Sequence, residues 1–187
     1  MPEVVAELIT TIDGFARGTR SPAYYGFWGP EFGSWLREKN DRPHQIIIGR
    51  RTYQALNSLP KEARDAEWTR MTATPGWVFS RTLGRAEWPG LQVVRTDVCE
   101  HVRLLKRQDG NEIRTLGSVS LIRQLLSAGL VDRVRLIICP LALPETGIEP
   151  VFSGMRDTQF KLADHRILDG RVLILDYQPD GPPPLRA

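Results

Sequence analysis

The chain has 187 residues, which suits one domain with a buried core and is short for two, and 41% of these residues are hydrophobic. Its formal net charge is +3, but 21 of its 25 cationic residues are arginines spread along the chain, which argues against a nucleic-acid-binding patch. No apolar run approaches the roughly 18 residues that span a bilayer. The acidic start also lacks the features of a signal peptide. We therefore expect a cytoplasmic protein that binds neither nucleic acid nor membrane.

The first part of the chain predicts a strand, a long loop and a helix. Residues 4–12 are rich in β-branched side chains and predict a strand that stops at Asp13. The segment 15–30 is rich in glycine, proline and aromatic residues and predicts a loop, of a length that is often functional. A helix is predicted to begin at Glu31, because Phe32, Trp35 and Leu36 share one helical face.

The rest of the chain alternates between predicted strands and helices. In chain order these are a strand (45–48), a helix (52–59), strands at 77–80 and 91–94, a helix (98–107), a strand–helix–strand unit (113–116, 119–128, 134–139) and a hairpin (160–167, 171–177). The charged segment 61–76 and the stretch PETGIEP predict loops. This alternation predicts an α/β fold with a mostly parallel central sheet and an antiparallel C-terminal strand. We expect one domain over residues 1–178 and a disordered proline-rich tail over 179–187.

The ends of the predicted parallel strands carry the most informative chemistry, because ligands bind at the carboxyl ends of such strands. Glycines, hydroxyls and arginines follow four of them, in the segments TTIDG, GRRT, SRT and GSVS. Glycine lets a phosphate approach the backbone, and helix N-termini and arginine supply donors to it. Any one of these segments is more often a plain tight turn, but several of them in one small domain favour phosphate binding. Cys99, Cys139 and the scattered histidines do not have metal-ligand spacing, so no metal site is predicted.

Several segments together resemble a known family. GRRTYQAL after an apolar strand resembles the cofactor-binding segment of the dihydrofolate reductase superfamily. The ordered set TIDGFARG, PEFGSWL, GRRTY, VFSRTL, LKRQDGNEIRTLGSVSLIRQLLSAGLVDRVRLIICPLAL and EPVFSG more closely resembles one branch. That branch contains stand-alone proteins similar to the reductase domain of the bifunctional riboflavin-biosynthesis deaminase–reductase. The resemblance runs from about residue 4 to residue 178.

The resemblance implies a three-layer dihydrofolate reductase-like fold, NADPH as cofactor and often a homodimer. It implies that the arginine-containing segments meet the adenosine phosphates of NADPH and that the turn before residue 119 meets the pyrophosphate. Dihydrofolate reductases carry a run of glycines there, whereas this chain has Gly117-Ser118. The implied cofactor-binding residues are Thr11, Gly49, Arg50, Arg51, Thr52, Ser80, Arg81, Thr82, Gly117, Ser118, Val119 and Ser120.

Two acids are candidates for catalysis. Glu31 occupies a place similar to the acid on the first helix of dihydrofolate reductases, and Asp13 resembles the acid that follows the first strand in the riboflavin-type branch. Each also has a structural interpretation, Asp13 as a turn residue and Glu31 as a helix N-terminal acid. Trp28 and Phe32, with neighbouring aromatic residues such as Tyr25, are candidate substrate contacts, and packing of this loop on the core explains them equally well.

These features predict a reductase that transfers a hydride from NADPH to a small planar substrate of pterin, pyrimidine or carbonyl type. The nicotinamide is expected near residues 11–15, with the substrate between it and the helix that begins at Glu31. One alternative is a catalytically silent nucleotide-binding accessory or sensor protein of the same fold. Another, suggested by the basic pI alone, is a nucleic-acid-binding domain. The sequence does not identify the substrate.

Overall fold

The computed structural model describes residues 1–20 and 26–183, whose contacts divide the chain into two compact units. Unit 1 comprises residues 1–3 and 43–130, and unit 2 comprises residues 4–42 and the chain from 131 onward. Unit 1 contains β3 (His44–Gly49), α2 (Arg50–Asn57), a 3-10 turn (Lys61–Ala63), α3 (Ala66–Ala73), β4 (Gly76–Phe79), β5 (Leu91–Val94), α4 (Val98–Leu105), β6 (Glu112–Thr115) and α5 (Val119–Ser127). Unit 2 contains β1 (Val4–Thr11), β2 (Phe15–Gly18), α1 (Pro30–Asp41), β7 (Arg133–Cys139), β8 (Gly147–Pro150), β9 (Phe160–Leu168) and β10 (Val172–Pro179).

The strands of unit 1 are all parallel and lie in the order β5-β4-β3-β6. The isoleucines of β3 are buried because this strand lies between two neighbours, and parallel strands are covered on both faces. Ile46 and Ile48 pack with Tyr53 of α2, Val78 of β4 and Trp88 in one cluster. Full burial of one such side chain contributes about 2 kcal/mol, so this cluster fixes the strand ends that it supports.

In unit 2, β7 pairs with β1 in parallel and with β10 in antiparallel orientation, and β10 pairs with β9. Helix α1 covers one face of these strands, because Phe32 and Trp35 pack with Ile137, Val172 and Ile174. The β9–β10 hairpin carries three exposed large apolar side chains, those of Leu162, Ile167 and Leu173. Leu173 and Ile167 are register partners and therefore share one face of the hairpin.

A cluster of charges, here called the Glu7 cluster, lies beneath helix α1 in unit 2. Lys39 Nζ lies 2.5 Å from Glu7 Oε1, and Arg135 Nη1 lies 3.4 Å from Glu7 Oε2. Arg135 also donates to both carboxylate oxygens of Asp176, at 2.8 and 2.9 Å. The two cations lie 5.2 and 5.8 Å from the ring centre of Trp35. The four charged side chains are 8–14% exposed, so they neutralise one another away from bulk water.

Three of the predicted loops were wrong. Segment 61–76 contains helix α3, which begins at Asp65 because this side chain accepts the Trp68 N–H at 2.9 Å. Trp68 and Met71 pack against the unit 1 core, so apolar contacts hold this helix although the segment is rich in charged residues. The loops after β1 and after β7 contain β2 and β8, which pair in antiparallel orientation. These strands have four residues each, too few for a period to show in the sequence.

The predicted fold class, α/β with a mostly parallel sheet and an antiparallel C-terminal strand, is confirmed by these pairings. Ordered structure extends slightly past the predicted boundary at residue 178. Strand β10 runs to Pro179, and the N–H of Asp180 donates to the carbonyl of Gln159 at 2.8 Å. The last predicted tail residues, 184–187, lie outside the described residues. In the part of the chain that is described, no helix has both the length and the apolar character needed to cross a bilayer.

Candidate functional site

Three neighbouring strands of unit 1 end at one edge, and the segments that follow them form what we call the rim, residues 49–52, 80–82 and 117–120. Gly49 is the register partner of Phe79, and Ile47 is the register partner of Thr115. Because β4, β3 and β6 are parallel and adjacent, the three segments leave the sheet together. The structure thus brings together the residues that the sequence placed at three separate strand ends.

The rim carries guanidinium groups that no described residue neutralises. Arg50, Arg51 and Arg81 are exposed, and within residues 1–20 and 26–183 they make no hydrogen bond or ion pair. Other arginines of unit 1 are engaged, as Arg114 is with Glu112 and Arg95 is with the carbonyl of Leu83 at 3.1 Å. The rim segments GRRT, SRT and GSVS contain no acid. This edge of unit 1 therefore offers charge-assisted donors to an anionic ligand.

Ser118 ties two rim segments together. Its Oγ accepts the N–H of Gly49 at 2.7 Å and donates to Thr52 Oγ1 at 2.9 Å. Gly117 and Ser118 both adopt left-handed backbone, with φ of 58° and 69°. At Gly117 a side chain would also meet the Thr52 methyl group at 3.2 Å. The turn into α5 therefore lies tightly against the start of α2, while Val119 is buried and Ser120 is exposed.

Ser80 shapes the middle segment of the rim. Its side chain is buried, and its Oγ accepts the N–H groups of Thr82 at 3.2 Å and Leu83 at 2.9 Å. These bonds curl the backbone after β4 so that Arg81 and Thr82 are exposed. Arg95, which the sequence analysis missed, supports the same loop from β5 through the Leu83 carbonyl. Its position after a strand was visible in the sequence, but its partner carbonyl was not.

In unit 2, Asp13 holds the end of β1 to the loop after β7. Its carboxylate accepts the Thr11 hydroxyl at 2.5 Å and the Leu143 N–H at 2.8 Å. The Thr11 hydroxyl lowers the pKa of Asp13, and the Leu143 N–H does the same against the opposing effect of burial. Thr11 also accepts the Phe15 N–H at 2.9 Å. Both predicted site residues on this turn thus make structural contacts, and their functional roles stay predictions.

Glu31 is joined to a residue that the sequence analysis missed. The carboxylate of Asp169, in the β9–β10 turn, accepts the N–H groups of Gly29 at 3.0 Å, Glu31 at 2.9 Å and Phe32 at 3.0 Å. In return, Glu31 Oε2 accepts the Asp169 N–H at 2.5 Å. A side chain at Gly29 would lie 2.4 Å from the Asp169 carboxylate, so a larger residue there would have to displace that carboxylate. We call this arrangement the α1 cap.

Burial raises the pKa of Asp169, but the three N–H donors and the charge of Arg171 outweigh that effect, so its pKa is lower than usual. Of the predicted substrate contacts, Phe32 is 1% exposed and belongs to the core. Trp28 is 44% exposed, and its ring centre lies 4.9 Å from that of Phe32. Trp28 is therefore the member of this pair that offers surface to a ligand. Tyr25 lies outside the described residues.

Comparison with known protein families identifies the family of this chain. The family model described as RibD C-terminal domain matches residues 2–174. The chain belongs to this family. The chain is similar to the uncharacterized protein YyaP of Bacillus subtilis (strain 168), with 27% identity over 184 residues that cover 95% of each chain. The predicted family resemblance is therefore confirmed.

Solved structures of RibD-like proteins share the fold. A protein from Shewanella sp. PV-4 assigned to riboflavin biosynthesis matches with a TM-score of 0.71 and 16% identity, covering 95% of this chain and 99% of its own. A pyrimidine reductase-like protein from Corynebacterium diphtheriae matches with a TM-score of 0.66 and 18% identity, covering 96% and 92%. A diaminohydroxyphosphoribosylaminopyrimidine deaminase/5-amino-6-(5-phosphoribosylamino)uracil reductase from Thermotoga maritima matches with a TM-score of 0.66 and 15% identity, covering 96% of this chain and 57% of that one. At these identities the likeness establishes the reductase-type fold.

The side chains present decide which groups this RibD-type chain can hold. Among the described residues, no group of three or more His, Cys, Asp or Glu side chains has the arrangement of a metal site. Burial raises the pKa of the Cys139 thiol to about 11, so this cysteine is not a reactive nucleophile near neutral pH. In unit 1 the rim combines exposed arginines with glycine turns and hydroxyls. Its chemistry fits phosphate groups.

Proposed function

We propose that the protein is an NADPH-dependent reductase that acts on a small planar substrate of pyrimidine, pterin or carbonyl type. The observation that carries the proposal is the rim, where Arg50, Arg51 and Arg81 are exposed and unpaired within the described chain. The adenosine 2′-phosphate distinguishes NADPH from NADH and is doubly charged, so unpaired guanidinium groups favour NADPH. Membership of the RibD C-terminal domain family supports the same reading.

Each rim segment has a role in this proposal. Arg50, Arg51 and Arg81 bind the adenosine phosphates, with the Thr52 and Thr82 hydroxyls as further donors. Ser80 holds the loop that presents Arg81. The backbone at Gly49 and from Gly117 to Ser120 would hold the pyrophosphate. In unit 2, Thr11 stays a predicted cofactor contact. NADPH, when bound, supplies the hydride, and the protein supplies binding and orientation.

The substrate class rests on relatives. The Thermotoga maritima protein is named a 5-amino-6-(5-phosphoribosylamino)uracil reductase in its second activity, and the Corynebacterium diphtheriae protein is named pyrimidine reductase-like. We therefore place a heterocyclic pyrimidine first among the planar substrates. Trp28 provides an exposed aromatic surface for such a ring. Of the two predicted acids, Asp13 uses both carboxylate oxygens, for Thr11 and Leu143, whereas Glu31 uses only Oε2, for Asp169. We therefore place Glu31 before Asp13 as the acid that contacts the substrate.

Cofactor titration tests the proposal. We expect the wild-type protein to bind NADP⁺ more tightly than NAD⁺ in isothermal titration calorimetry. The variant Arg51→Ala/Arg81→Ala should lose about 100-fold in NADP⁺ affinity, because each charge-assisted contact is worth about 1.5 kcal/mol or more. It should lose little NAD⁺ affinity. The matched control Arg103→Ala/Arg107→Ala removes two exposed arginines of unit 1 outside the rim. Equal wild-type affinity for the two cofactors would refute the assignment of the rim arginines.

A second candidate function is nucleotide binding without turnover. The observation that favours it is that both predicted acids already serve structural contacts, Asp13 with Leu143 and Glu31 with Asp169. A panel of pterin, pyrimidine and carbonyl compounds with NADPH separates the two functions. Consumption of NADPH with any of them excludes the silent binder. Tight NADP⁺ binding without consumption across the panel supports it.

We also propose that the protein forms a homodimer through the exposed face of the β9–β10 hairpin. Ile167 is 62% exposed, Leu162 is 47% exposed and Leu173 is 36% exposed on these strands. Such a face favours a second copy of the same chain, because a two-fold axis lets one apolar patch cover its own counterpart. Sedimentation equilibrium should give a dimer for the wild type and a shift towards monomer for Ile167→Lys. A wild-type monomer at micromolar concentration would contradict this.

A further inference from the structure

Ser118 has an unusual conformation for its residue type. It follows Gly117 in a left-handed backbone conformation, with φ 69° and ψ 66°, which disfavours residues that carry a Cβ. It occupies the position before helix α5, where a serine ordinarily bonds to its own helix, yet its side chain makes no such bond. The hydroxyl is directed instead to the neighbouring segment after β3. This backbone conformation thus places Ser118 Oγ beside the rim segment that begins at Gly49.

That oxygen engages a backbone donor of the rim. The Gly49 N–H lies where β3 meets α2, and it donates to Ser118 Oγ at 2.7 Å. The Ser118 hydroxyl in turn donates a hydrogen bond to Thr52 Oγ1 at 2.9 Å. The Gly49 N–H and the Ser118 hydroxyl proton are therefore both used within the rim. In contrast, the rim guanidinium groups have no partner among the described residues.

We propose that Ser118 sets the affinity for the dinucleotide by filling, with its hydroxyl oxygen, the anion position beside the Gly49 N–H. This inference rests on the proposed function. The pyrophosphate of NADP(H) gains that N–H only when the serine side chain rotates away and gives up its bonds to Gly49 and Thr52. The adenosine 2′-phosphate, held by arginines, does not need that rotation. Ser118 is accordingly a specificity-determining residue whose effect is confined to ligands with a pyrophosphate.

The experiment compares two ligands on three forms of the full chain. The ligands are NADP⁺, which has a pyrophosphate, and adenosine 2′-monophosphate, which lacks one, and binding is measured by calorimetry. The variant Ser118→Gly removes the hydroxyl and relieves the backbone strain. We expect it to bind NADP⁺ about tenfold more tightly than wild type and adenosine 2′-monophosphate equally well. Ser127→Ala, at the exposed end of α5, is the matched control and should change neither affinity.

A second variant separates ligand competition from fold support. Ser118→Ala removes the hydroxyl but keeps the Cβ, and its melting temperature is measured with and without NADP⁺. We expect a lower melting temperature than wild type without ligand and a larger rise on adding NADP⁺. Weaker binding of both ligands by the two variants would mean that Ser118 only supports the fold, and this overturns the inference. Failure of the wild type to bind either ligand would instead overturn the proposed function itself, and the inference with it.

Discussion

The starts of helices α2 and α1 are built in opposite ways. Helix α2, in unit 1, begins with Arg50 and Arg51, and no side chain caps its first N–H groups. At the start of helix α1, in unit 2, the Asp169 carboxylate accepts two helix N–H groups and that of Gly29 just before the helix, although 138 residues separate Asp169 from Glu31. The protein thus satisfies the positive end of α1 with its own acid and leaves cations at the start of α2. Under the proposed function, the arginines at the start of α2 bind an anionic ligand, whereas the start of α1 is occupied by Asp169.

The largest effect should come from reversing a charge at the start of α2. We expect Arg51→Glu to reduce NADP⁺ affinity by roughly 100-fold or more, because it replaces a charge-assisted donor with a repulsive charge. Its melting temperature should match that of wild type, because Arg51 has no partner among the described residues. Arg107→Glu makes the same change beyond α4 and should leave affinity unchanged. A similar loss in both variants would show that overall charge, rather than the rim, governs binding.

Removing the acid at the start of α1 should act on stability. Asp169→Ala deletes the acceptor of three N–H groups, so we expect a lower melting temperature in thermal denaturation. Asp157→Ala, an exposed acid of the same unit, serves as the control. NADP⁺ affinity should change much less than in the Arg51 variant. If Asp169→Ala melts like the control, the α1 cap does not stabilise the helix and the contrast between the helix starts is lost.

Lowering the pH should weaken the α1 cap, and we expect no equivalent effect at the start of α2. The pKa of Asp169 is lower in the folded protein than its ordinary value of 3.8, so its carboxylate contributes stability above that value. This contribution is lost as the pH falls from about 3.8 through the folded pKa. Asp13 acts in the same direction, so the measurement compares wild type with Asp169→Asn in melts over that acidic range. The two curves should converge as the pH falls, and parallel curves would contradict the assignment.

The smallest effect concerns the bond between Thr52 and Ser118. Thr52→Val removes the acceptor of the Ser118 hydroxyl, and we expect a loss of about 1 kcal/mol in the free energy of unfolding, measured with urea. Thr96→Val, at an exposed position of unit 1, is the control and should cost less. Equal values for the two variants would show that this bond does not hold the rim together in solution.

The rim could be predicted because the residues that mark each strand end lie close together in the sequence. An apolar run that ends in glycine and arginine marks a strand end wherever it occurs, and parallel pairing then brings β4, β3 and β6 together. Helix α3 was missed because charged residues conceal the apolar spacing of Trp68 and Met71. Strands β2 and β8 were missed because each owes its conformation to a partner far along the chain.

The non-local contacts of the candidate site were beyond sequence reasoning for a related reason. Asp169 followed by Gly170 predicts a hairpin turn, and nothing nearby in the chain indicates that its carboxylate caps α1. The direction of the Ser118 hydroxyl depends on a left-handed backbone that a serine rarely adopts. Contacts that follow from the parallel pairing of neighbouring strands could therefore be predicted from the sequence. Contacts in which one side chain reaches a turn far along the chain could be identified only in the structure.

The Glu7 cluster has a consequence for the evolution of this fold. Replacing Glu7 alone would remove the carboxylate that pairs with Lys39 and one of the two carboxylates that pair with Arg135, and breaking a poorly hydrated ion pair in this way typically costs about 3–5 kcal/mol. Replacing all members together with apolar residues of similar volume costs far less, yet it requires several simultaneous substitutions. Lineages that inherit these charges are therefore expected to retain them through epistasis, long after substrate preference has diverged.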